Sequence, residues 1–166
     1  MDNRKILKNK KILLVDDEPD VLETMIDLLD MCHIDTALDF ETARKLLIEN
    51  HYDMTILDIM GVRGYDLLEI AKQKGTPTLM LTAHALSPDA FVKSMESGAK
   101  AYIPKEKMTE IGTYVADLFK AQQAGIQRPR SWYDRLESFF EKQFGRDWQR
   151  KYKEAREKYD WLDFDD

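Results

Sequence analysis

Cysteine is almost missing from this chain. Cys32 stands alone among 166 residues, so the chain can close no disulfide on itself and offers no cysteine cluster to a metal. A lone thiol fits a reducing compartment, and a cytoplasmic protein is expected. No apolar run approaches the roughly 18 residues that a spanning helix needs, so no membrane association is expected. The basic residues Arg4, Lys5, Lys8, Lys10 and Lys11 lead only into the short apolar run from Ile12 to Val15. That is not the pattern of a signal peptide and reads as a solvated lead-in. A Gly-x-x-x-x-Gly-Lys phosphate loop is absent, and His33, His51 and His84 have no metal-ligand spacing. Positive charge is short as well. The net charge is -6, and it falls on residues 1–125, where 15 Lys and Arg face 21 Asp and Glu, while residues 126–166 balance ten against ten. An acidic main unit is a poor partner for phosphate backbones, so no direct DNA binding is expected.

What is present is a set of short apolar runs that stop on reactive groups. Met54 to Leu57 ends on Asp58, with turn signals at Gly61 and Gly64. Such a run reads as a buried strand, and a carboxylate at its end sits where open α/β sheets place their chemistry. Taken alone, Asp58 is as readily a turn residue. Lys11 to Val15 likewise ends on Asp16 and Asp17, Pro77 to Leu81 on Thr82, and Ala101 to Ile103 is followed by Lys105. Between these runs lie helical spacings, from Pro19 to about Met31, Phe40 to Asn50, Tyr65 to Lys74, Ser87 to Gly98, and 107–123. With a strand at Ile34 to Leu38, strand and helix alternate five times. That alternation implies a parallel sheet with helices on both faces and right-handed crossovers, so all strand ends share one edge.

Asp16, Asp17, Asp58, Thr82 and Lys105 thus converge on one rim. Clustered carboxylates repel, so at least one pKa should be raised. An oxygen-only cluster suits a hard divalent ion such as Mg²⁺. A lysine and a hydroxyl opposite would complete a clamp for a phosphoryl group, with the strand-end carboxylate as nucleophile. The Asp-x-Asp of haloacid-dehalogenase-like phosphatases is absent around Asp58.

Four stretches together resemble a response-regulator receiver domain. They are Ile12-Leu13-Leu14-Val15-Asp16-Asp17-Glu18, Ile56-Leu57-Asp58-Ile59-Met60, Leu81-Thr82-Ala83, and Gly98 through Lys105. The resemblance covers about residues 10–123 and implies a flavodoxin-like sheet of order 2-1-3-4-5. It implies that Asp58 accepts a phosphoryl group from a histidine kinase or phosphotransfer protein, in a signalling protein that is not an enzyme in the usual sense. It also implies Mg²⁺ held by Asp17, Asp58 and the Met60 carbonyl, with Asp16 more indirect. Lys105 would pair with the phosphoryl group, and Thr82 and Tyr102 would form the switch. Two departures stand out. The expected proline after Asp58 is missing and Gly64 comes two residues early, which shortens that loop. Lys105 is followed by Glu106 and not proline. The alternative reading is a pseudo-receiver, an interaction module that phosphate does not switch.

After Gln123, Gly125 and Pro129 mark a linker at 124–130, followed by an aromatic-rich helical tail at 131–166. The tail holds 10 of the 17 aromatics. Leu136, Phe139, Phe140 and Phe144 form one stripe; Trp148, Tyr152, Ala155, Tyr159 and Leu162 form a second. The tail is too short for a winged-helix or catalytic output domain. Its stripes should dock on the chain's own receiver, on a second copy, or on a downstream protein, with a homodimer the favoured outcome.

Overall fold

The computed structural model describes residues 2–151. Five strands, β1 (Lys11–Val15), β2 (His33–Ala37), β3 (Met54–Asp58), β4 (Thr78–Thr82) and β5 (Ala101–Pro104), form one parallel sheet of order β2-β1-β3-β4-β5. The β3 and β4 residues are buried throughout, as is β1 beyond Lys11. This is why these strands read as continuous apolar runs. β2 lies at an edge and carries His33, Asp35 and Thr36, which are only partly covered.

The helices follow from the crossovers. α2 (Pro19–Leu28) starts on a proline at its first position. α3 (Phe40–Glu49) is capped by the Asp39 side chain, which accepts from Thr42 N at 2.8 Å. α4 (Gly64–Gln73) and α5 (Pro88–Glu96) follow β3 and β4, and Ser87 caps α5 by accepting from Ala90 N. Where the lead into the last helix was expected to be regular, Lys105–Glu110 winds as a 3₁₀ turn before α6 (Ile111–Gln123). The chain steps leftward once, from β1 to β2, and rightward thereafter. Right-handed crossovers therefore put α2 on one face and α3, α4 and α5 on the other. α6 packs beside α2.

Two terminal pieces extend this unit. The expected solvated lead-in contains a helix, α1 (Asn3–Leu7), whose Ile6 and Leu7 are buried against α6 while Arg4, Lys5 and Lys8 stay exposed. The charges are solvated; the two apolar residues between them are not. Residues 124–130 have no regular structure but are pinned. Ile126 N donates to Ala121 O, Lys100 Nζ to Gln127 O, and Trp132 Nε1 to Pro129 O. α7 (Ser131–Phe144) then lies along β5, touching Phe91 of α5 on one side and reaching Asp117 of α6 through Arg135 on the other. β5 is buried at every residue although it is an edge strand, and Phe140 of α7 packs on its Tyr102. A short helix, α8 (Trp148–Lys151), follows. Of the second stripe only Trp148 falls within the described residues; Tyr152, Ala155, Tyr159 and Leu162 lie outside them.

If α1 is part of the core, Leu7→Ala should lower unfolding free energy in urea by about 2–5 kcal/mol, as for other buried leucines. A solvated lead-in would give a change within about 0.5 kcal/mol.

Candidate functional site

The sheet register assembles the site. Val15 pairs with Leu57, Asp58 with Leu81, and Thr82 with Pro104. The next residues in each chain segment, Asp16 and Asp17, Asp58 itself, Thr82 and Lys105, therefore meet at one end of the sheet. One carboxylate oxygen each from Asp16, Asp17 and Asp58 lies within 4.8 Å of the others. Asp16 and Asp58 are buried, and Asp17 is exposed at the mouth.

A single ammonium answers these charges from inside. Lys105 Nζ lies 2.8 Å from Asp16 Oδ2, 3.0 Å from Glu18 Oε2 and 3.6 Å from Asp58 Oδ1. Asp16 Oδ1 accepts from Glu18 N at 2.9 Å. Asp16 Oδ2 has its ion pair with Lys105 but accepts no well-aligned hydrogen bond, although it is buried. Burial raises the Asp58 carboxyl to about 7, helped by the neighbouring Asp16 and Asp17 charges against the opposing pull of Lys105. Burial also raises Asp16, against its bonds to Lys105 and the Glu18 amide. Burial works against the Lys105 ammonium, but its bonds to Asp16 and Glu18 outweigh that and raise it. The repulsion expected from the sequence is thus concentrated on Asp58.

The shortened loop after Asp58 closes tightly. Gly64 N donates to Ile59 O at 3.1 Å, so α4 begins directly after β3. A Cβ at Gly64 would overlap the Asp58 carbonyl oxygen and the Ile59 Cα, and that backbone has nowhere to move. Gly61, at φ +84°, passes so near Asp17 that a Cβ there would displace its carboxylate. Arg63 takes the left-handed conformation at φ 55° and stacks its guanidinium on Phe40, 3.9 Å from the ring centre. Met60 sits in this loop with its side chain exposed; its carbonyl is a ligand candidate by resemblance alone.

Thr82 and Tyr102 are placed apart. Thr82 is buried at the rim, and its Oγ1 accepts from Ala85 N at 2.9 Å. Tyr102 is fully buried below the rim, on the α5 side. Its hydroxyl donates to Ala85 O at 2.6 Å and accepts from Ser87 N at 3.3 Å. Burial raises its pKa strongly. Sequence reasoning missed three participants. Glu18 shares the Lys105 ammonium, and its signal was its place as the third acid of the Asp16-Asp17-Glu18 run. Ala85 and Ser87 act through backbone atoms, which no side-chain pattern announces.

The donor set fits a hard divalent cation. It is all oxygen, carries more negative charge than Lys105 balances, leaves one buried oxygen poorly satisfied, and opens at Asp17 where Gly61 has no side chain. In metal-free buffer the raised Asp58 pKa has a stability signature. The folded carboxyl ionises near 7 against an ordinary 3.8. Between those values the folded state keeps a proton that the unfolded state has lost, so stability falls as pH rises through that window. Asp58→Asn cannot ionise. Its Tm should exceed wild type at pH 8 in chelator, and the gap should shrink at pH 5. Gaps of equal size at both pH values would contradict the assignment.

A family model described as the response regulator receiver domain matches residues 12–116. The transcriptional regulatory protein CpxR of Klebsiella pneumoniae is 39% identical over 100 residues, which cover 57% of this chain and 42% of that protein. The DNA-binding response regulator MtrA of Mycolicibacterium smegmatis is 35% identical over 101 residues, 58% of this chain and 44% of that protein. The chain therefore spans less than half the length of these curated relatives. MtrA is named as DNA-binding and CpxR as a transcriptional regulatory protein, so the expectation that this chain makes no direct DNA contact finds no support in them. Among solved structures, the receiver domain of the Francisella response regulator 1452 superposes with a TM-score of 0.62 at 26% identity, covering 69% of this chain and 99% of that one. With the parallel sheet, the acidic rim and the lysine on β5's exit in place, the chain belongs to the response regulator receiver domain family.

Proposed function

We propose that this chain is a phosphoacceptor, taking a phosphoryl group onto Asp58 from the phosphohistidine of a histidine kinase or phosphotransfer protein in a Mg²⁺-dependent step. The observation that carries this reading is the position of Asp58. It ends the central strand, buried beside Asp16 and with Lys105 Nζ 3.6 Å from its Oδ1. An Asp58 oxygen attacks phosphorus, the phosphorus–nitrogen bond breaks, and the leaving imidazole nitrogen keeps the electron pair and takes up a proton. Lys105 is positioned to neutralise a phosphoryl oxygen, and Thr82 Oγ1 to donate to another after giving up Ala85 N. Asp17 and Asp58 would hold the metal directly with the Met60 carbonyl, and Asp16 would support them. Bound there, Mg²⁺ would favour the ionised nucleophile and offset charge on the transferred group. The output of such a domain is a conformational change read by a partner, in a protein acting as a two-component signalling element.

Intact-mass spectrometry after incubation with a small acyl phosphate and Mg²⁺ tests this. One phosphate should be added to wild type, with none added to Asp58→Asn or to wild type in chelator. Undiminished labelling of the Asn variant would overturn the acceptor assignment. No labelling of wild type by acyl phosphate or by a phosphorylated kinase would favour the pseudo-receiver reading.

A further inference from the structure

The aromatic seam under α7 is built around Phe91 of α5. Its ring centre lies 5.2 Å from Tyr102, 5.3 Å from Phe140 and 5.0 Å from Trp148, with Trp132 and Tyr133 both at 6.1 Å. Phe144 extends the stack, 5.5 Å from Phe140 and 5.4 Å from Trp148. Trp132, Leu136, Phe140 and Phe144 recur at steps of four, so one stripe of α7 meets this face. Tyr102 belongs to both sides of the story. Its ring packs in the seam while its hydroxyl is held by the segment between β4 and α5.

That segment is a mechanical link. Ala85 gives its N–H to Thr82 Oγ1 and its carbonyl to the Tyr102 hydroxyl. One residue thus ties the rim of the phosphate site to the floor of the tail's dock. A turn of Thr82 Oγ1 toward a phosphoryl group would draw it away from Ala85 N. If the segment then shifts, Ala85 O and Ser87 N leave the Tyr102 hydroxyl, and a buried hydroxyl without partners is unfavourable. The docked state already carries one such defect: among the described residues the buried Trp148 indole N–H has no hydrogen-bond partner. A helix held by packing, with an unsatisfied donor at its far end, is suited to leave when its floor moves.

We propose that α7 and α8 form an intramolecular lock on the α5–β5 face, and that phosphorylation of Asp58 releases it through Thr82, Ala85 and Tyr102. This rests on the phosphoacceptor reading above. The lock's occupant is the chain's own tail. Phe91 and Tyr102, buried beneath it, become the surface that release exposes.

The chain supplies its own probe, because its three tryptophans, Trp132, Trp148 and Trp161, all lie in the tail. The experiment takes the full chain with Mg²⁺ and acetyl phosphate. It records the added mass, tryptophan emission and quenching by acrylamide, and amide exchange over residues 131–144. The expected result is one added phosphate, a red-shifted emission, at least a twofold rise in the quenching constant and faster exchange in α7, with exchange over 54–58 unchanged. Phe140→Ala should show the released signals without a phosphodonor. Because coupling is reciprocal, it should also bind beryllofluoride at least about fivefold tighter. Phe144→Ala, at the rim of the seam, is the milder variant should Phe140→Ala not fold. Tyr102→Phe keeps the ring against Phe91 and Phe140 but cuts the hydroxyl link, so its emission should no longer answer to added phosphate. A phosphate added with unchanged or blue-shifted emission and unchanged or slower exchange overturns the lock and leaves the acceptor assignment standing. No added phosphate overturns the acceptor reading and the trigger with it.

Discussion

The interaction on which the rest depends is the imbalance of charge at the end of the central strand. Three aspartates and Glu18 meet at that rim, and Lys105 reaches in to offset them. Asp58 absorbs the deficit, because burial removes the water that would otherwise stabilise its ionised form. Bringing these carboxylates together is therefore costly, and a cation among them would offset that cost. A fully apolar strand end would be more stable and inert.

The loop beside Asp58 shows how a shortened connection can keep the site intact. With two residues fewer than its family's usual spacing, α4 must start hard against the end of β3. Gly64 meets that constraint by having no side chain to collide with the Asp58 carbonyl. Arg63 accepts a left-handed backbone and is steadied by Phe40 and by Asp66, 2.9 Å away. The change from proline to Glu106 after Lys105 is accommodated by a trans backbone and a 3₁₀ turn, and the ammonium still reaches Asp16. The departures from the family pattern alter the frame around the reacting groups and leave the groups in place.

The fold and the acidic rim were legible because they rest on strong local signals. Apolar runs of strand length ending on Asp16, Asp58 and Thr82 announce buried parallel strands and a shared edge at once. α1 was hidden, since Ile6 and Leu7 are too few to make a helical period among five basic residues. The tail's helix and its apolar stripe were readable, but a stripe says only that a face will be buried and not against what. The structure answers for α7: Phe91 and Tyr102 of its own receiver. The stripe is thus already occupied within its own chain, so a homodimer formed through it would require α7 to move. The Thr82–Ala85–Tyr102 link was invisible because its middle member acts through main-chain atoms. Glu18 was overlooked because it follows two aspartates that already account for the acidity.

If Asp58 keeps a proton where a cation would otherwise sit, Mg²⁺ must displace it. Titration calorimetry at pH 6.5, in buffers of different ionisation heat, measures that release directly. Wild type should give up a fraction of a proton per Mg²⁺ bound, the release should vanish by pH 9, and Asp58→Asn should show none. Mg²⁺ binding to wild type with no proton release at pH 6.5, and with equal affinity in Asp58→Asn, would rule this out.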